Sequence, residues 1–170
     1  MAQRSNPILV DTNVILEAYR TNSWKALTSG YGVETVEACV IETQTGFQRR
    51  RRELQIDETE LRARLVAVHQ VTDSERAEVF IRAPDIALDR GERDLWGHAM
   101  RSADAWILCG PDIASLRFGV RLGFRDRLVS LERLLQNVGY RVKGSLRLNY
   151  TEKWLAFTLS RLVIAERGAS

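Results

Sequence analysis

Short β-branched apolar runs alternate with capped helical stretches along this chain, and no other feature limits its fold so sharply. Ile8-Leu9-Val10 ends abruptly in Asp11-Thr12-Asn13, after which Val14, Ile15 and Ala18 recur at helical spacing: a strand, a turn and a helix. Gly32 to Val36 predicts a second strand, and Ala38, Ile41, Glu42 and Thr45 lie on a helix running into the arginine block Arg49 to Arg52. Asp57 with Glu60 reads as a capping box opening a helix to about Leu65. Val66, Val68 and Val71 supply a third β-like run, and Thr72 with Glu75 opens a helix that Pro84 stops. Asp89 with Glu92 opens another to about Met100, Trp106 to Cys109 makes a buried strand, and Asp112 caps a helix ending at Gly123. Leu128 to Ser130 is a last candidate strand, and Leu131 to Asn137 is a helix ended by Gly139. Asn149 with Glu152 is expected to open a final amphipathic helix to about Arg167.

Strands alternating with helices in this way require right-handed crossovers between parallel strands. The expected fold class is therefore α/β, a three-layer α/β/α sandwich around a parallel sheet of about four to five strands. The 170 residues, 45% of them hydrophobic, suit one domain with its own core, with a C-terminal helical extension over about 140–170. No apolar run approaches the ~20 residues of a membrane span, and Met1 to Pro7 lacks the apolar core of a secretory signal; the expectation is a soluble, cytoplasmic protein. Cys39 and Cys109 lie in apolar stretches without metal-ligand spacing and read as small buried hydrophobes. Lys25, Lys143 and Lys153 are the only lysines, so arginine, whose planar fork suits phosphate, makes up nearly all of the 25 basic residues. High-GC genomes enrich arginine for other reasons, so this agrees with a nucleic-acid partner without demonstrating one.

In an open parallel sheet, ligands bind beyond the carboxyl ends of the strands. Asp11 follows the first strand directly, Glu42 lies early on the helix after the second, Glu92 opens a helix, and Asp112 follows Trp106 to Cys109. Four acids can thus converge on one edge. Carboxylates packed so closely repel and raise one another's pKa, and a divalent cation is what normally keeps them ionised. Hard oxygen ligands select Mg2+ or Mn2+.

The run Ile8-Leu9-Val10-Asp11-Thr12-Asn13-Val14-Ile15-Leu16 resembles the opening of a PIN-domain nuclease, and the pattern continues in order. Val40-Ile41-Glu42 is similar to the segment carrying that family's second acid, Gly91-Glu92-Arg93-Asp94 with Ala99 to its third, and Gly110-Pro111-Asp112 with Leu122-Gly123 to its fourth. The resemblance spans roughly Ile8 to Gly139. It implies Asp11, Glu42, Glu92 and Asp112 as catalytic metal ligands, with Asp94 an alternate to Glu92. Where the family often has Thr-Asp-Asp or Thr-x-Asp this chain has Cys109-Gly110-Pro111-Asp112, which leaves Asp104 as an alternate to Asp112. The implied activity is metal-dependent hydrolysis of RNA, often by a toxin held by an antitoxin protein, with homodimers common. If the acids converge, Thr12 or Asn13 would orient Asp11 or touch phosphate, and Arg49 and Arg50 would begin an electrostatic rail for the substrate backbone.

Each of these residues also has an ordinary explanation. Asp11 suits a turn, Glu42 a solvated helix face, Glu92 the capping box of Asp89, Asp112 a helix N-terminus, and the arginine block a solubilising surface. His69 and His98 stand isolated and read as core or surface histidines, and Trp24, Trp96, Trp106 and Trp154 as core or interface. Two competing functions stay open: a catalytically inactive PIN-like nucleic-acid-binding or protein-interaction module, and a phosphoryl-transfer enzyme with Asp11 as nucleophile. Against the second, Asn13 stands where such an enzyme needs another aspartate.

Overall fold

A computed structural model of the chain describes residues 6–45 and 55–169. Four strands form its centre: β1 (Ile8–Val10), β2 (Val33–Val36), β3 (Ala67–His69) and β4 (Ile107–Cys109). All pair in parallel, in the order β3-β2-β1-β4. Every side chain of the middle strand β1 is buried, which is why its sequence is continuously apolar instead of alternating. Leu128 to Ser130, expected as a further strand, contributes one parallel bridge to Leu108. The Ser130 hydroxyl then accepts the Arg133 N–H and turns the chain into a helix.

The helices described are α1 (Thr12–Arg20), α2 (Trp24–Gly30), α3 (Glu37–Gln44), α4 (Glu58–Arg64), α5 (Asp73–Arg82), α6 (Arg90–Arg101), α7 (Ile113–Arg121), α8 (Leu131–Asn137) and α9 (Glu152–Gly168). One face of the sheet presents Ile8, Val10 and Val33 to a core built with α1, α2, α4 and α8. The opposite face presents Leu9, Val36 and Leu108 to a second core built with α5, α6, α7 and α9. These are the three layers, and they make the fold α/β with an all-parallel sheet. Among the described residues no helix is long and apolar enough to cross a membrane.

Two elements depart from the sequence reading. The sequence reading has no element between Ala18 and Gly32, but Asn22 adopts a left-handed φ of 54° after α1 and the chain enters α2, burying Trp24 and Leu27. The final helix is capped by Thr151, which accepts the Trp154 N–H; Asn149 sits in the preceding 3-10 turn, and the Glu152 N–H donates to Glu132. Leu155 and Leu159 of α9 share the core of Leu116 and Phe118, and Glu166 pairs with Arg117 and Arg121 of α7. The last helix is thereby built into the second core, although the sequence presents it as an extension.

Chain direction explains where a site can form. Connections run outward from β1 through β2 to β3, and the chain then returns to the other side of β1 as β4. The helices that follow β1 and β4 therefore leave on opposite faces, opening a crevice between the carboxyl ends of those two strands.

Candidate functional site

Asp11 stands at the crevice, where its backbone N–H donates to the Cys109 carbonyl at 3.3 Å and locks the exits of β1 and β4 together. Its carboxylate caps α1, Oδ1 accepting the Val14 N–H at 2.8 Å. Among the described residues no hydrogen-bond donor meets Oδ2. A Cβ at position 110 would come within 3.0 Å of that oxygen, so the glycine preserves its space. Asp11 is only 5% exposed. Burial pushes its carboxyl up to about 7; the Val14 hydrogen bond opposes this, and the charges of Asp89, Asp112 and Glu42 add to it.

Glu42 reaches the same space from α3. The Thr12 hydroxyl donates to its Oε2 at 2.6 Å and the Gly91 N–H to its Oε1 at 3.1 Å. One carboxylate thus ties the first turns of α1 and α6 together. A side chain on residue 91 would put its Cβ 2.8 Å from Glu42 Oε2, which is why Gly precedes Glu92.

Asp89 and Glu92 form the expected capping box: the Glu92 N–H donates to Asp89 Oδ1 at 2.8 Å, and the Asp89 N–H to Glu92 Oε2 at 3.0 Å. Capping and site membership coexist, because the helix being capped starts at the crevice. Glu92 is 6% exposed; burial raises its carboxyl, the hydrogen bond from the Asp89 N–H opposes this, and the charges of Asp112 and Asp89 add to the rise. Asp112 caps α7, accepting the N–H groups of Ala114 at 2.7 Å and Ser115 at 3.3 Å.

Of the four acids singled out in the sequence, Asp11, Glu42 and Glu92 line one cleft together with Asp89, and Asp112 stands close enough to act by charge on Asp11 and Glu92. Sequence reading passed over Asp89 because its capping role accounts for it; the available signal is that an N-cap at this edge points into the crevice. A cleft of about 80 Å³ is lined by Asp11, Thr12, Asn13, Cys39, Glu42, Asp89 and Glu92, with no arginine or lysine among them.

Neither alternate, Asp94 or Asp104, lines this cleft. Asp94, 2% exposed, is held by Arg76 at 2.7 and 3.0 Å, so a guanidinium already engages both of its oxygens. Asp104 is exposed in the segment before β4, at the amino ends of the strands and thus on the opposite edge of the sheet. Thr12 orients Glu42, not Asp11, while Asn13 is exposed at the lip with its carbonyl accepting the Tyr150 hydroxyl at 3.2 Å. Arg49 and Arg50, with the rest of the arginine block, lie outside the described residues. Both cysteines are buried and unpaired, and burial pushes the Cys39 thiol up to about 12, as expected of inert side chains.

The histidines are not isolated. The rings of His69 and His98 stack at 3.7 Å with 16° between planes, and His69 Nε2 lies 2.7 Å from Glu34 Oε2. Only the pairing of β2 with β3 and the packing of α6 on that face bring the three together, so nothing in their sequence spacing reveals it.

No protein-family model, curated protein or solved structure matches this chain. Its fold and cleft define a class by themselves: a parallel α/β domain with a buried carboxylate cluster at the point where its sheet reverses strand order.

Proposed function

We propose that this chain is a divalent-metal-dependent ribonuclease of the PIN type, hydrolysing RNA phosphodiester bonds in the carboxylate cleft. The observation that carries the reading is the buried Asp11, whose Oδ2 meets no hydrogen-bond donor among the described residues and which shares with Glu42, Asp89 and Glu92 a cleft whose described lining has no basic side chain, with the Asp112 charge acting on it as well. Such an arrangement is electrostatically incomplete, and a hard divalent cation completes it. The donor set is all oxygen, which fits Mg2+ or Mn2+ and disfavours softer metals. When bound, such an ion supplies Lewis acidity toward a phosphate oxygen and draws the pKa of water toward neutrality.

The chain's own residues supply the rest. Asp11 and Asp112 each accept N–H groups of a helix's first turn at Oδ1, which holds the second oxygen in place before substrate arrives, and Glu42 is fixed at both oxygens by Thr12 and Gly91. Glu92, whose carboxyl burial raises toward neutrality, gives the cleft a group able to exchange a proton there. Asn13, exposed at the lip, is available to a phosphate or sugar.

The test uses the purified chain with end-labelled single-stranded RNA, with Mn2+ or with chelator, beside Asp11→Asn. Cleavage should require the metal and fall at least ~100-fold in the variant. Cleavage indifferent to both treatments contradicts the reading. Metal binding without cleavage favours the inactive binding module instead.

A further inference from the structure

Outside the carboxylate cleft, a second group of metal-ligating side chains gathers on the other half of the sheet. Glu34 and Val36 of β2 share a face with His69 of β3, because Val36 is the register partner of His69. That face is covered by α6, which brings His98 onto His69. The glycine before His98 permits the approach: a Cβ on Gly97 would lie 3.3 Å from Val71 Cγ1 and 3.4 Å from the Glu75 carbonyl. One ligand atom from each of Glu34, His69 and His98 lies within 4.8 Å of the other two.

Bonds of about 2.0–2.2 Å in a tetrahedral site put ligand atoms about 3.3 Å apart. His69 Nε2 and Glu34 Oε2, hydrogen-bonded at 2.7 Å, need only part slightly to reach that separation, and a torsional adjustment of the half-buried His98 completes the set. Side-chain exposures of 28% for His69 and 17% for Glu34 leave a path for an ion and room for a water as fourth ligand.

We infer that Glu34, His69 and His98 form a three-ligand site for Zn2+ or a similar borderline divalent transition metal, separate from the carboxylate cleft. The two sites differ in chemistry: two imidazoles with one carboxylate suit zinc, cobalt or nickel, whereas the all-oxygen cleft suits magnesium or manganese. They also differ in position. His98 lies six residues beyond Glu92 on α6, about 9 Å along the helix axis. An ion here clamps the edge strand β3 to the helix that carries Glu92.

The test is titration of the full, chelator-stripped chain with Zn2+ alone, beside His69→Ala, His98→Ala and Asp11→Asn. Wild type and Asp11→Asn should bind one equivalent, with Tm rising roughly 5–10 °C at a hundredfold excess over Kd; each histidine variant should bind about 100-fold more weakly. His69 and His98 are the only two histidines of the chain, so ring-nitrogen NMR shifts on zinc addition read the site in wild type even if a variant does not fold. Unmoved histidine signals, or zinc binding abolished by Asp11→Asn and untouched by the histidine variants, would overturn the inference.

Discussion

Burial and three neighbouring acids bring the Asp11 proton into exchange at about pH 7 in the absence of metal. In the unfolded chain the same carboxyl titrates at 3.8, so between these values the folded state binds the extra proton. Stability contributed by this group is therefore complete below about pH 4, is lost as pH rises toward 7, and stays lost above. Measured against Asp11→Asn, whose amide still caps α1, wild type should lose up to about 4 kcal/mol between pH 4 and 7.5 without metal. Parallel denaturant melts check this; a difference independent of pH would contradict it. Gly91→Ala is a second residue-scale test, since the new Cβ meets Glu42 Oε2 at 2.8 Å and Cys39 Sγ at 3.1 Å. Metal-dependent cleavage should fall about tenfold or more, with a stability cost of about 1–3 kcal/mol. Asp11, Glu92 and Asp112 are legible in sequence because each follows an apolar strand or opens a helix, which fixes its edge of the sheet; Glu42, expected early on its helix, is the sixth of the eight residues of α3 and reaches the cleft from the last turn. Asp94 is misleading for the opposite reason: its neighbour Glu92 faces the cleft, but two residues of helical rotation turn Asp94 toward Arg76, a partner 18 positions away.

Buried ion pairs join the elements around the cleft. Arg76 of α5 holds Asp94 of α6, and the buried Glu17 of α1 is held by Arg20 at 2.8 and 2.5 Å and by the Arg147 N–H at 2.9 Å, fastening the segment before α9 to the first helix. Removing one partner leaves a buried charge uncompensated. Arg76→Ala should cost about 3 kcal/mol in chemical denaturation, whereas Asp94→Asn, although destabilising, should retain metal-dependent RNA cleavage. Loss of cleavage in a folded Asp94→Asn protein would return Asp94 to the metal site. At this scale the sequence is most readable where a cap has one candidate. Thr72 with Glu75 and Asp89 with Glu92 form reciprocal boxes as written, and Asp112 caps alone. Asn149, expected to open α9, yields to Thr151, and the first N–H of the helix, that of Glu152, donates to Glu132 of α8, a partner invisible in the sequence. The seven-residue α2 is too short for its periodicity to register.

Across the whole molecule, reversal of strand order at β1 and β4 turns scattered acids into a cluster. That geometry depends on the core under α6 and α7, where the fully buried Trp96 donates to Ser115 Oγ at 2.9 Å and packs on Phe118. Gly119 gives the ring its room, as a Cβ there would lie 2.9 Å from Trp96 Cη2. Since α9 closes the same core, Leu159→Ala should cost about 2–4 kcal/mol in equilibrium unfolding. A negligible effect would show that the last helix is dispensable to the domain. The alternation of strands and helices announces the parallel sheet, but strand order, and with it the location of the crevice, is written only in which helices bury against which face.

Calorimetric titration of Mn2+ at about pH 8, above the Asp11 value, into chelator-stripped wild type, Asp11→Asn and Asp94→Asn tests the cluster itself. The predicted result is saturable binding by wild type and Asp94→Asn, weakened about 100-fold or more in Asp11→Asn. Equal affinity in wild type and Asp11→Asn, or no binding by wild type, would contradict a metal-holding cleft.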